Sequence, residues 1–86
     1  MDAKYLRNLG IIMEKLEIIL SKVFRLKPDQ IHDSLTMQDV DRWDSLTHMD
    51  LVTSIEEGLG IELTMGDIMS MTDVKTIKFI VEQKLS

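Results

Sequence analysis

The chain has 86 residues, a net charge of −5 and no cysteine. A chain of this size forms one domain with a modest core, burying roughly 60–65% of its unfolded surface, which leaves little room for an enclosed catalytic cleft. The missing cysteine excludes a disulfide framework and a thiolate metal site, the acidic balance argues against a nucleic-acid partner, and no apolar run is long enough to span a bilayer.

Leu6, Leu9, Met13, Leu16, Leu20 and Val23 recur at steps of three and four, which predicts a first helix over about 3–26. Ile12, Ile19 and Leu26 widen its stripe, and Asp2 is the expected N-cap. Pro28 is expected to stop it, because the residue before proline is pushed out of helical geometry. Gly10 weakens it by about 1 kcal/mol, enough to fray the first turns or set them apart as a short piece.

Residues 27–44 show no sustained period. They read as a long structured loop anchored by Ile31, Leu35, Met37 and Val40, and loops of this length in a compact domain are often functional. A second helix is expected over 45–58, opened by Asp44 as N-cap and closed by Gly58 and Gly60. Ile61-Glu62-Leu63 is an extended link. Thr64 and Asp67 form a capping-box pattern that opens a short third helix over 65–71. Thr72 or Asp73 then caps a last helix over 74–85, with Val74, Ile77, Ile80, Val81 and Leu85 inward and Lys84 suiting the dipole at its end. The expected fold is all-α: a four-helix bundle in one domain spanning 1–86, with a long loop between helices 1 and 2 and a short third helix.

Charge is unevenly spread. Residues 1–27 are net +3, residues 28–74 net −10 with Arg42 as their single base, and residues 75–86 net +2. An acidic middle suits steering of basic partner proteins, or simply solvates the surface. Arg42 is expected to pair with nearby aspartates. The seven methionines read as core and interface filler.

The second helix has two faces. Leu51, Val52, Ile55 and Leu59, with His48 among them, form the core stripe. Leu46, Met49 and Thr53 lie near Ser45 on the other side, rimmed by Asp50, Glu56 and Glu57. An apolar patch with a charged rim is an interface arrangement, unless Leu46 and Met49 tuck under the long loop.

Ser45 opens this helix, where unpaired N–H groups and the positive dipole end favour a phosphate esterified to the hydroxyl. A serine beside an N-cap is also common in plain structural roles. As a nucleophile it would need a base and an orienting group, and only His32 and His48 are available. His48 points toward the core stripe and reads as a packed residue satisfied by backbone groups. There is no Gly-x-Ser-x-Gly elbow, and the histidines and aspartates lack metal-ligand spacing. No catalytic residue and no metal site are expected. Trp43 reads as a loop anchor close enough to Ser45 to touch a tethered group.

From about Leu16 to Leu85, the order Asp44-Ser45-Leu46, then Asp50, Leu51 and Glu56-Glu57, then Gly60-Ile61-Glu62-Leu63 and Thr72-Asp73-Val74 resembles the acyl carrier proteins. A second Asp-Ser-Leu at Asp33-Ser34-Leu35 lies in the long loop and is followed by no helical stripe, so Ser34 is rejected. The resemblance implies that Ser45 receives 4′-phosphopantetheine from coenzyme A through a phosphopantetheinyl transferase, making this a phosphoprotein whose terminal thiol carries acyl groups as thioesters. It implies that Asp44 serves transferase recognition as well as capping. Leu46, Met49, Asp50, Glu56 and Glu57 match the family's partner-recognition helix. The implied partners are the transferase, an acyl-loading ligase or acyltransferase, and a ketosynthase or other acyl-processing enzyme.

Trp43 before the motif, and Met65-Gly66 where proline and acidic residues are often found, make the chain more similar to specialised carriers of polyketide, peptide or glycan-modification pathways than to those of housekeeping fatty acid biosynthesis. The expected protein is a cytoplasmic monomer, with no leader segment. The alternatives are an aminoacyl or peptidyl carrier on the same fold, a cofactor-free helical interaction module, and, more remotely, a small hydrolase using Ser45 and His48.

Overall fold

The computed structural model describes residues 3–85, with side chains from Asn8 onward. The expected N-cap Asp2 and the side chain of Leu6 lie outside the described residues. Four α-helices are present among them: α1 (Ala3–Phe24), α2 (Ser45–Leu59), α3 (Met65–Ser70) and α4 (Val74–Leu85). The four-helix architecture follows the sequence pattern, with a long α1–α2 loop and a short third helix.

α1 runs unbroken through Gly10, so no separate first piece forms. Leu16, Leu20 and Phe24 form its buried stripe, and Met13, Ile12, Ile19 and Val23 flank the core. The stripe thus ends on Phe24, which its spacing pattern had not singled out. The helix also stops two residues short of the expected boundary. Arg25 adopts a left-handed conformation, φ 55°, and the Leu26 N–H turns back to Ser21 O at 3.1 Å. Pro28 then opens a 3-10 turn, Pro28–Gln30, instead of ending the helix itself.

The loop is ordered by its apolar anchors. Ile31, Leu35 and Val40 are buried, and Met37 packs against the same core. A short antiparallel bridge fastens it to the α3–α4 junction: Met37 N–H donates to Thr72 O and Val74 N–H to Leu35 O, both at 3.0 Å. Lys78 of α4 adds ion pairs to Asp33 at 2.9 Å and to Glu17 of α1 at 3.3 Å.

α2 buries Leu51, Val52 and Ile55. It ends at Leu59, one residue later than expected, because Gly60 alone makes the left-handed cap, with φ 66° and its N–H on Glu56 O. Gly58 instead lies within the helix, against α1. A Cβ there would stand 2.8 Å from Ile19 Cδ1. α3 opens on the expected capping box and ends at Ser70; Met71, fully buried, serves as its C-cap. Asp73 accepts the Thr76 N–H at 2.7 Å, which settles the α4 cap in its favour over Thr72. Val74, Ile77, Ile80 and Val81 then close the core.

Candidate functional site

The N-terminus of α2 is built by three consecutive residues with different tasks. Trp43 is buried, its ring 4.4 Å from that of Phe24. It anchors the loop end to α1, as the sequence suggests. Asp44 has extended backbone, and its Oδ1 accepts the Thr47 N–H at 2.9 Å. Its carbonyl takes the His48 N–H at 2.8 Å, the first helical bond of α2. The Thr47 N–H holds the Asp44 carboxyl below the usual aspartate range, so it is ionised at neutral pH. Ser45 follows as the first helical residue. It is exposed, and its hydroxyl has no hydrogen-bond partner among the described residues.

His48 is unavailable as a base for that hydroxyl. Its Nδ1 accepts the Trp43 indole N–H at 2.9 Å. An indole can only donate, so the neutral ring carries its proton on Nε2. Nε2 lies 2.8 Å from Ile68 O and donates to it. Both ring nitrogens are spent on structure, which matches the packed role read from the sequence and removes the activated serine a hydrolase needs.

The outer face of α2 stands clear of the loop. Leu46 is 82% exposed and Met49 50%, so neither tucks under it. Arg42, Leu46, Thr47, Met49, Asp50 and Thr53 line an open groove beside Ser45. Asp50 and Glu57 are exposed along the same helix. Glu56 differs from its neighbour: it is half-buried and accepts the Leu63 N–H at 3.0 Å, tying the α2–α3 link to α2. Arg42 also departs from expectation. Its Nε donates to Val23 O at 3.2 Å, since the end of α1 leaves carbonyls without helical partners. It forms no ion pair with an aspartate among the described residues.

α3 supplies two exposed apolar residues that the sequence reading did not place on a surface: Met65 entered it only as a departure from the family pattern, and Met69 not at all. Met65 and Met69 are 70% and 73% exposed. The capping box fixes where α3 starts, and from there a spacing of four puts both on one face. The signal was present, but reading methionine as filler obscured it.

The second Asp-Ser-Leu is placed differently. Ser34 lies in a turn and pairs with His32 Nδ1 at 2.9 Å, and its neighbour Asp33 is held by Lys78. It has no helix N-terminus behind it.

A phosphate ester fits the α2 N-terminus on these observations. The serine hydroxyl is free and outward, the helix dipole presents its positive end, and the groove gives a flexible arm somewhere to lie. When bound, phosphopantetheine supplies a thiol, which this cysteine-free chain lacks. Among the described residues no helix is long and apolar enough to cross a membrane, and no cluster of side chains could hold a metal ion.

Comparison with known proteins agrees with this geometry. Residues 14–78 match the family model described as "Phosphopantetheine attachment site". The fold is similar to the solution NMR structure of a holo acyl carrier protein from Geobacter metallireducens, with a TM-score of 0.74 and 29% identity over 84% of this chain and 83% of that one. No curated protein matches. The family model spans most of the chain, so the chain belongs to the phosphopantetheine-attachment family, whose members carry a covalently attached 4′-phosphopantetheine and act as carriers rather than catalysts.

Proposed function

We propose that this chain is an acyl carrier, modified on Ser45, that holds acyl intermediates as thioesters for a set of partner enzymes. The observation that carries this reading is the exposed, unpartnered Ser45 hydroxyl at the first position of α2, beside the outward Leu46. Asp44 orders the helix start and presents a carboxylate next to the modified residue. Leu46, Met49, Asp50 and Glu57 offer an apolar patch with an acidic rim for the transferase, for an acyl-loading ligase or acyltransferase, and for a ketosynthase or other processing enzyme. Such a surface favours fast, salt-sensitive, weak encounters. Tethering keeps the cargo at high effective concentration during each one. The Trp43-Asp44-Ser45-Leu46 run favours a specialised acyl-transfer pathway, with fatty-acid and polyketide synthesis as the broader class. The working form is a cytoplasmic monomer.

The test is modification of the purified protein by a broad-specificity phosphopantetheinyl transferase with coenzyme A and magnesium, read by intact mass and peptide mapping. One phosphopantetheine on the Ser45 peptide is expected, lost in Ser45→Ala and retained in Ser34→Ala. Modification that survives Ser45→Ala overturns the site.

A further inference from the structure

α3 is held in place by polar contacts. None of its six residues is buried, and a helix of this length does not persist on its own. The Thr64–Asp67 capping box closes its N-terminal end, with bonds of 2.9 and 3.1 Å. Lys84 of α4 grips Asp67 Oδ2 at 2.7 Å. Glu56 of α2 holds the Leu63 N–H just before it. At the C-terminal end the side chain that reaches in is His48, donating to Ile68 O at 2.8 Å. The backbone donor to that carbonyl, Met71 N–H, is long at 3.4 Å, so the imidazole is its stronger partner.

The imidazole can do this in one tautomer only. A proton on Nδ1 would face the Trp43 N–H and leave Nε2 as an acceptor against a carbonyl. Trp43 is buried against Phe24 and cannot turn away without opening the core. The indole therefore selects the Nε2–H form, and that form holds α3. His48 stands three residues from Ser45, within about one helical turn.

We infer that Trp43 and His48 form a latch that fixes the C-terminal end of α3 and thereby sets how Met65 and Met69 are presented to the enzymes that dock near Ser45. His48 is a positioning residue, and it acts through Ile68 O. The docking half of this inference rests on the carrier reading above; the latch itself does not.

The experiment uses the full chain before modification. Nitrogen–proton correlation spectra of the His48 ring at neutral pH should show the neutral Nε2-protonated tautomer, with a second tautomer appearing in Trp43→Phe. Two variants then separate the two halves of the ring. His48→Gln carries an amide N–H about as far out as Nε2–H. His48→Asn keeps an acceptor near the Nδ1 position and falls short of Ile68. Amide exchange at the C-terminal end of α3 should be about fivefold faster in His48→Asn, the loss expected for one hydrogen bond, and near wild type in His48→Gln. Unchanged exchange at Leu16 and Leu20 would confirm that the core is intact. The transferase KM should rise in His48→Asn, with kcat little changed, and recover in His48→Gln.

An Nδ1-protonated ring in the wild-type protein overturns the latch without recourse to any variant. Equal α3 exchange in His48→Asn and wild type also overturns it. Faster exchange with an unchanged KM overturns the docking role. Wild-type protein that takes no phosphopantetheine defeats the carrier reading and the docking role together, while the tautomer and exchange results still decide the latch.

Discussion

Glu56 and Leu63 are joined by a hydrogen bond from the Leu63 N–H to Glu56 Oε2, 3.0 Å long, which closes the turn between α2 and α3. This separates two adjacent glutamates that look alike in sequence. Glu56→Lys should lower stability in urea unfolding by about 1–2 kcal/mol, because it removes the acceptor from a partly buried N–H. Glu56→Gln, which keeps an oxygen there, should recover most of it. Glu57 is exposed, so Glu57→Lys should stay within about 0.5 kcal/mol of wild type. Its effect should appear in the rate of phosphopantetheinylation, slower than wild type and more so at low salt. A Glu57→Lys protein modified at the wild-type rate at low salt would mean that the acidic rim only solvates the helix.

Gly58 and Gly60 are two residues apart and face opposite constraints. Gly60 has open space around it and a φ of 66°, so the cost of Gly60→Ala is in the backbone: about 1 kcal/mol in thermal or urea unfolding. Gly58 has ordinary helical backbone and too little room, since a Cβ at this position would lie 2.8 Å from Ile19 Cδ1. Helix propensity would reward Gly58→Ala by about 1 kcal/mol if that atom could move aside. The gain should therefore be larger in an Ile19→Val background, which deletes Cδ1, than in wild type. A double-mutant cycle with a coupling of at least about 0.5 kcal/mol is expected. Strict additivity would show that Ile19 yields freely.

Much of this arrangement was legible in the sequence because it is local. Asp44, Thr64 and Asp73 each cap the helix that follows them, and a cap needs only a side chain within three residues of the N–H it serves. The apolar spacing likewise gave the inward faces of α2 and α4. The resemblance carried by Asp44-Ser45-Leu46 and the residues after it pointed to the carrier family. What escaped were contacts between distant parts of the chain. Nothing in the spacing of Trp43, His48 and Ile68 announces a hydrogen-bonded series whose two links span 5 and 20 residues. The partner of Arg42 lies 19 residues away, at a helix end whose position depended on Arg25 turning left-handed. Glu56 looked like rim because helical periodicity reports a side chain's direction and not what lies within its reach.

Arg25 is the residue that ends α1, and it does so in a conformation that favours glycine. A side chain in the left-handed region costs about 1–2 kcal/mol, partly offset when glycine replaces it because glycine has more freedom to lose on folding. Arg25→Gly should therefore stabilise the protein by up to about 1 kcal/mol, seen as a higher urea midpoint with unchanged slope. Arg25 is exposed, so little packing is lost with it. Arg25→Val, β-branched and poorly suited to positive φ, should move the midpoint the other way. Opposite signs for these two substitutions are the expected signature; a shared sign would place the cost outside the backbone.

Four aspartates make the fold sensitive to acid. Lys78 holds the Asp33 carboxyl below its usual range, the Thr47 N–H does so for Asp44, Lys84 for Asp67 and Thr76 for Asp73. Each is depressed in the folded state relative to the unfolded chain, where an aspartate titrates at about 3.9. The unfolded state therefore binds protons first as pH falls, and their combined contribution is fully present above that value. It is lost as the solution passes down through the folded-state values. The urea midpoint should be level in this respect from neutral pH to about pH 5 and drop below about pH 4. Asp67→Asn and Asp73→Asn should each lower the midpoint at neutral pH and flatten the acid limb, because the variant no longer has that carboxylate to protonate. If Asp67→Asn and Asp73→Asn together preserve the full acid drop, the caps of α3 and α4 are not what acid undoes.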